Sequence, residues 1–531
     1  MAVLCGLLLA RGHRAAAVAV LGFVCMWLCF LIGHGLIRVV LSPGVGAFGV
    51  ARTLVDEAVR IRVVLAFVIG LLVMTPLGSL FFLMDPNELL KYRVQGFLTW
   101  TLSGSAMLLG VMTLFLACST ICHEIDRCQI FLTLTKPIGR GQYLLGKWLG
   151  IVLLDLLLVG IVGIGVYTFS KVLQQNPHRN QADRHAVDQQ IFVARQAVTA
   201  QPPATMDINA MVAKRVQEQQ DTQTAVAPGL ERFHRQAIIA KWHTIAPRGT
   251  QTYVFANLHR ARAFGRWVQL RFKPVSSMAP PKEQVRLAVW LNGRPYPFDA
   301  DTHRHLPLVV ANNRYQVLDL PVDAIGQDGR LEIRIANVNL DDMRATFPSS
   351  VGFTPGKGLE VLYQVGRFEP NLIRALVLVW IRLAFLAMLG LTAGTFLGFP
   401  VACLLGVLVY VTAAANGFLL ESMEQYVSFS AHHQGWWERL VWVPKTFLVQ
   451  LVGGEFWDAF KILVRLLGNT FVLLIPSFSD YDPVALIADG RWVPYDMILA
   501  AVVRVGGVWT GFCGLLGWLI FRRRELAQVT V

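Results

Sequence analysis

The residues with chemistry to offer gather in one stretch, His123-Glu-Ile-Asp-Arg-Cys-Gln-Ile-Phe-Leu-Thr-Leu-Thr-Lys-Pro-Ile-Gly-Arg-Gly-Gln-Tyr-Leu-Leu-Gly-Lys147. Glu124 stands there among the bases Arg127, Lys136, Arg140 and Lys147. Charges of this kind suit ion pairing; taken alone they describe an ordinary basic loop between two apolar segments. Within the stretch, Gly141 to Lys147 begins like a phosphate-binding loop but fails its chemistry. The next residue must offer a hydroxyl to magnesium and is Trp148, and the loop leads into an apolar helix, not out of a buried strand. Cys118, Cys122, His123 and Cys128 invite a zinc reading, but their spacing fits no common structural site. His303 and His305 read as solvated loop histidines. No nucleophile elbow or paired-histidine zinc helix is found. The chain is therefore expected to have no catalytic residues, metal site or cofactor of its own.

The elements that hold these residues follow from composition. Of 531 residues, 54% are hydrophobic and 15% charged, and the mean hydropathy is +0.50, too apolar for a soluble protein. The apolar residues form seven blocks, near 15–37, 63–84, 96–119, 148–169, 373–393, 397–420 and 496–521. Each reaches the roughly 20 residues that span a hydrocarbon core of about 30 Å. The run from Ile151 is apolar nearly all round, whereas a soluble core helix keeps a polar face. The first block is too long for a signal-peptide core and lacks a small-x-small cleavage site, so it too is expected to span. A net charge of +14 fits the positive-inside rule and anionic headgroups; no nucleic-acid module accompanies it.

Basic clusters set the expected topology. Arg52, Arg60 and Arg62 precede the second block, Arg127 to Lys147 lie between the third and fourth, and Arg522, Arg523 and Arg524 follow the last. With all three in the cytoplasm, residues 171–370 lie outside, and a tight turn around Gly394–Pro400 joins the fifth and sixth spans. Parity then puts the N-terminus outside, against the pull of Arg11 and Arg14. Residues 421–495 are expected to form an outer segment with Trp436, Trp437, Trp442, Trp457 and an amphipathic stretch, Phe456 to Leu474, suited to the membrane interface; two extra spans are the alternative.

No cysteine falls within 171–370, so that domain folds on packing without disulfides. Residues 171–245 are polar and read as a helical stalk. From about 250 to 365 the period becomes two: Val268, Leu270 and Phe272; Val285, Leu287, Val289 and Leu291 before Asn292-Gly293; Leu331, Ile333 and Ile335 after Asp328-Gly329. Short alternating strands with such turns predict a β-sandwich.

Read whole, the stretch from His123 resembles the cytoplasmic loop of ABC-2 type permeases, the membrane subunits of ATP-binding-cassette transporters. The matching pieces are Glu124, the apolar patch Ile130 to Leu134, the break Lys136-Pro137, then Gly139-Arg140 and Gly146-Lys147. An elbow with Asp56, Glu57, Arg60 and Arg62, leading into the first core span, and the end Phe521-Arg-Arg-Arg-Glu525 resemble the same family. The resemblance covers about 50–170 and 370–531. It implies a polytopic α-helical membrane protein with a six-helix ABC-2-like core. To that core this chain adds an N-terminal span and linker, 1–50, and an inserted extracytoplasmic domain, mainly β and sandwich-like, at 171–370. The first half of the core is then 51–170, with a coupling loop at 120–147, and the second half 371–531.

The resemblance implies ATP and magnesium in a separate cytoplasmic ABC ATPase, and pairing with a second permease subunit as homodimer or heterodimer. It also implies a multi-pass location in a bacterial inner (plasma) membrane. Ile130, Phe131 and Leu132 would enter a groove on the ATPase, with Glu124, Arg127 and Arg140 fixing the register. Gly507 and Gly511 have the small-xxx-small spacing of a close helix seam. Arg382 and Arg504 lie within spans, where charge is costly and often functional. The expected function is ATP-driven export of a substrate. Two other classes stay open: a mechanotransmission protein whose outer domain is reshaped by the ATPase, and a membrane-anchored binding protein.

Overall fold

Apolar runs of this length have one stable form in a bilayer, the helix that satisfies its own backbone. The computed structural model has seven helices long and apolar enough to cross a membrane among the described residues. These residues are 14–42, 46–83, 89–127, 138–175, 181–202, 207–220, 230–264, 267–278, 280, 283–296, 298–299, 304–305, 307–338, 349–356, 358–426 and 476–523. They fall into two units. One holds the chain up to Ala194, Arg367–Glu424 and the C-terminal helices; the other runs Arg195–Gly366.

The first unit opens with α1 (Arg14–Val40). The short helix α2 (Ala47–Arg60) buries Val50, Ala51, Leu54, Val55 and Ala58, a stripe at helical spacing. It turns into α3 (Arg62–Leu83), which carries Pro76 in its interior. Helices α4 (Leu90–Asp126) and α5 (Arg140–Gln174) have 37 and 35 residues. At 1.5 Å per residue they are about 55 and 52 Å long, well beyond the hydrocarbon thickness, so their ends project past it. Gly22 of α1 lies against Phe169 of α5, and Gly33 against Leu157. The two helices are therefore antiparallel, as the parity argument requires. After α5, α6 (Gln181–Gln190) returns to cap α4: the Asp183 carboxylate accepts the Leu90 backbone N–H at 2.8 Å, placing an acid at the positive end of that helix.

Two main sheets of the second unit line its core. One orders β1 (Val193–Thr199), β8 (Leu359–Arg367), β3 (Trp267–Phe272) and β6 (Gln316–Pro321). The other orders β5 (Leu308–Ala311), β4 (Gln284–Leu291), β7 (Leu331–Asn337) and β2 (Thr250–Phe255). The alternating residues expected from the sequence line one core: Leu270, Leu287, Val289, Ile333 and Ile335 are buried together. Registers such as Ile333↔Leu291 and Ile335↔Val289 place them side by side. Asn292 and Gly293 have φ of 47° and 82°, the left-handed pair that a two-residue hairpin demands. Polar helices α7 (Ile208–Gln220) and α8 (Leu230–Trp242) precede most of these strands.

One segment departs from the expected helical stalk. Val193–Thr199 is a strand, with Val193 and Ala194 buried. Arg195 is buried as well and donates to the Gln269 amide oxygen, while Thr199 is exposed at the sheet edge; composition alone does not separate such a strand from an exposed helix.

The chain re-enters the first unit through α9 (Phe368–Phe396) and makes the expected tight turn into α10 (Phe399–Tyr426). Two indoles tie α9 to α5 in opposite directions: Trp148 donates to the Ala384 carbonyl at 2.8 Å, and Trp380 to that of Val152 at 3.0 Å. The Trp cluster and amphipathic stretch expected within 421–495 lie outside the described residues. From 476 the chain sits against the helices, with the Phe478 N–H on the Ala413 carbonyl at 3.0 Å. Ala413 is about 21 Å along α10, so this segment dips deep between the spans. After α11 (Val484–Ala488), α12 (Tyr495–Arg523) closes the unit. Val502–Trp509 within it is wound as a π-helix.

Candidate functional site

The last turns of α4 and the first turns of α5 bring the expected acid and base together. Arg140, Tyr143 and Lys147 recur at i, i+3 and i+7, on one face of α5. Lys147 is 2% exposed, and its ammonium lies 2.5 Å from Glu124 Oε1. Glu57 of α2 stands 4.0 Å away on the other side. The Tyr143 hydroxyl donates to the second Glu124 oxygen, and Lys147 Nζ is 5.7 Å from the Tyr143 ring centroid. Three helices thus meet at one charged knot. A buried lysine needs such partners, because an unpaired ammonium out of water costs several kcal/mol.

Glycine makes room for it. A Cβ on Gly146 would lie 2.6 Å from the Ala47 carbonyl oxygen and 2.7 Å from Val50 Cβ; one on Gly150 would lie 2.9 Å from the Ala51 oxygen. Gly146 and Gly150 are a small-xxx-small pair that lets the α2 backbone lie directly on α5. Tyr143 continues the contact with Val50 and stacks on Phe521 of α12, ring centroids 6.0 Å apart. Arg140 takes the end of that helix, donating to the Phe521 and Arg522 carbonyls at 2.8 and 2.9 Å. The guanidinium thereby ties the start of α5 to the last described turn of α12. Arg140 is therefore engaged within the chain.

Residues 55–214, from the elbow helix through α5 and into the polar helices beyond, match the family model described as ABC-2 family transporter protein. Over these 160 of the 531 residues the chain is similar to ABC-2 transporters. No curated protein and no solved structure matches the chain. The matched segment contains the charged knot: Glu57, Glu124, Tyr143 and Lys147 all lie inside it.

The other expected residues distribute unevenly around the helical unit. Asp56 pairs with Arg38 of α1 at 2.9 Å, with His34 at 4.0 Å, so the added N-terminal helix is tied to the elbow. Arg60, Arg62 and Arg127 are exposed near the same end. Ile130, Phe131, Lys136 and Pro137 lie outside the described residues, as does His303. A Cβ on Gly511 would meet nothing within 4 Å, and one on Gly507 only the Val502 carbonyl of its own helix. Close helix contacts within the chain are made at Gly146 and Gly150, and at Gly390, where a Cβ would lie 2.7 Å from Ala117 Cβ. Among the described residues no group of three His, Cys, Asp or Glu is placed to hold a metal. Cys118 and Cys122 turn their thiols to the Gly390 and Gly394 carbonyls, at 3.5 and 3.7 Å. Sequence reasoning missed Tyr143, Arg38 and Gly150. The i, i+3, i+7 spacing from Arg140 and the Gly146–Gly150 interval were the signals available.

Proposed function

We propose that this permease core works as the transmembrane subunit of an ATP-driven exporter, with hydrolysis carried out by a separate cytoplasmic ABC ATPase. The observation that carries the reading is the Glu124–Lys147 contact, closed by Tyr143 and faced by Glu57. It joins the two overlong helices on either side of residues 128–137 to the elbow. A push delivered to that loop by closing ATPase subunits would reach α2, α4 and α5 together. Coupling needs a shared two-state contact of this kind, since adjacency alone transmits nothing. Ile130 and Phe131 supply the apolar part of the docking surface in this reading, and Arg127 supplies charge. A second permease subunit completes the assembly, in a bacterial inner membrane.

The experiment is purification of the chain from its native membrane, followed by assay of vanadate-sensitive ATP hydrolysis in the eluate. The wild type should retain an ABC ATPase, and Phe131→Ala combined with Ile130→Ala should release it. If the wild type retains none, or the double variant retains as much, the coupling reading is lost.

A further inference from the structure

Near the middle of α9, 14 residues past Phe368, Arg382 places a guanidinium at bilayer depth. Its side chain is 15% exposed. A cation there is costly; where it persists it faces a cavity or the bundle interior, and it commonly lines a substrate path. Arg382 does face a cavity, of about 240 Å³, between α4, α9, α10 and the chain at 478–484.

The guanidinium is only partly engaged. Nη2 donates to the Phe478 carbonyl at 2.7 Å, while Nε is buried without a hydrogen-bond partner. Nη1 is 3.7 Å from Asp482 Oδ1, beyond hydrogen-bond length, and the Asp482 side chain is 47% exposed. Asp482 therefore balances the charge loosely: its Oδ1 also accepts the Val484 backbone N–H at 3.3 Å, and its side chain lies partly in solvent. The hydroxyls of Ser103, Tyr410 and Ser479 share the cavity wall with the apolar side chains of Leu383, Leu386 and Phe478. Its flank carries Ser103 on α4 and Ala414 on α10, both exposed.

A guanidinium fork with a free N–H, hydroxyl donors and an apolar wall is complementary to an anion attached to hydrocarbon. We propose that the Arg382 cavity binds an anionic amphiphile, its phosphate or carboxylate head on Arg382 in place of Asp482 and its tail along Leu383, Leu386 and Phe478. The inference rests on the permease reading for the ligand's role as cargo. Binding itself is measured without ATPase, so its failure leaves ATPase retention untouched, and loss of ATPase retention leaves the binding result standing.

The test titrates the full-length chain in nanodiscs with hexyl phosphate, inorganic phosphate and 1-hexanol, each by calorimetry. Hexyl phosphate should bind saturably and more tightly than either fragment. Arg382→Gln should weaken it about tenfold or more, with Arg382→Lys between the two. Asp482→Asn keeps the arginine and removes its competitor, so it should tighten binding several-fold, which covers the case in which Arg382→Gln fails to fold. Inorganic phosphate binding as tightly as hexyl phosphate would remove the tail from the proposal. Hexanol binding equally well, no saturable binding, or an unchanged affinity in Asp482→Asn would overturn it.

Discussion

The Lys147 ammonium sits between two carboxylates from different helices, 2.5 Å from Glu124 and 4.0 Å from Glu57. Only the first is in full contact, and that carboxylate is also held by Tyr143. The Lys147 side chain is 3% exposed and that of Glu57 50%, so the buried base has one committed partner and one that is half in solvent. Such an asymmetric site is suited to exchanging partners when the helices shift.

Removing one member of a buried pair strands the other. Lys147→Met should therefore destabilise the protein by roughly 3 kcal/mol, read as a lowered midpoint of thermal unfolding in detergent. Adding Glu124→Gln to Lys147→Met should restore part of the loss. A double variant destabilised by the full sum of the two singles would show that the contact is not a coupled pair.

The elbow contact depends on the absence of a Cβ. Gly146→Ala should force α2 off α5 and cost about 1–3 kcal/mol. Gly160→Ala is the control on the same helix, because a Cβ there meets nothing within 4 Å; in a helix interior it should be neutral or slightly stabilising. Equal melting points for the two variants would contradict the close approach.

Arg140 holds the last described turn of α12 through two carbonyls. Arg140→Ala should loosen that turn, with a loss of about 1.5–3 kcal/mol for hydrogen bonds to a charged donor. Faster amide exchange confined to the turn before Arg523 is the expected signature. Unchanged exchange there would mean that Arg140 does not hold the turn.

In the β unit, His243 is buried against Trp242 and Tyr253, its ring 4.5 and 5.9 Å from theirs. Burial pushes its pKa below the ordinary 6.5, so the unfolded chain binds the proton more readily than the folded one. Stability should then fall as pH drops below 6.5 and level off once the folded-state pKa is passed. His243→Phe keeps the ring packing and removes the titration. A melt followed by tryptophan fluorescence should lose that part of its acid sensitivity in the variant.

The sequence made the spans and the sandwich strands legible because each depends on a local period. Leu331, Ile333 and Ile335 alternate whatever they pair with, and the run from Ile151 is apolar whatever surrounds it. Glu124 and Lys147 stood out as charged residues, but their pairing did not. It closes across 23 positions and depends on how α4 and α5 cross. The small-xxx-small pattern occurs at both Gly146–Gly150 and Gly507–Gly511, and spacing alone does not say which pair meets another backbone. At the second, π-winding over Val502–Trp509 shifts the helical register. The strand Val193–Thr199 was hidden because an edge strand with one wet face resembles a polar helix in composition.

Phe192 and Phe368 stack edge to face with their rings 5.3 Å apart. The chain therefore leaves the helical unit and rejoins it at adjoining points, and everything between is an excursion from a nearly closed seam. A lineage could enlarge, exchange or shed such an excursion without re-threading the spans, and a laboratory splice from 192 to 368 would need only a short bridge.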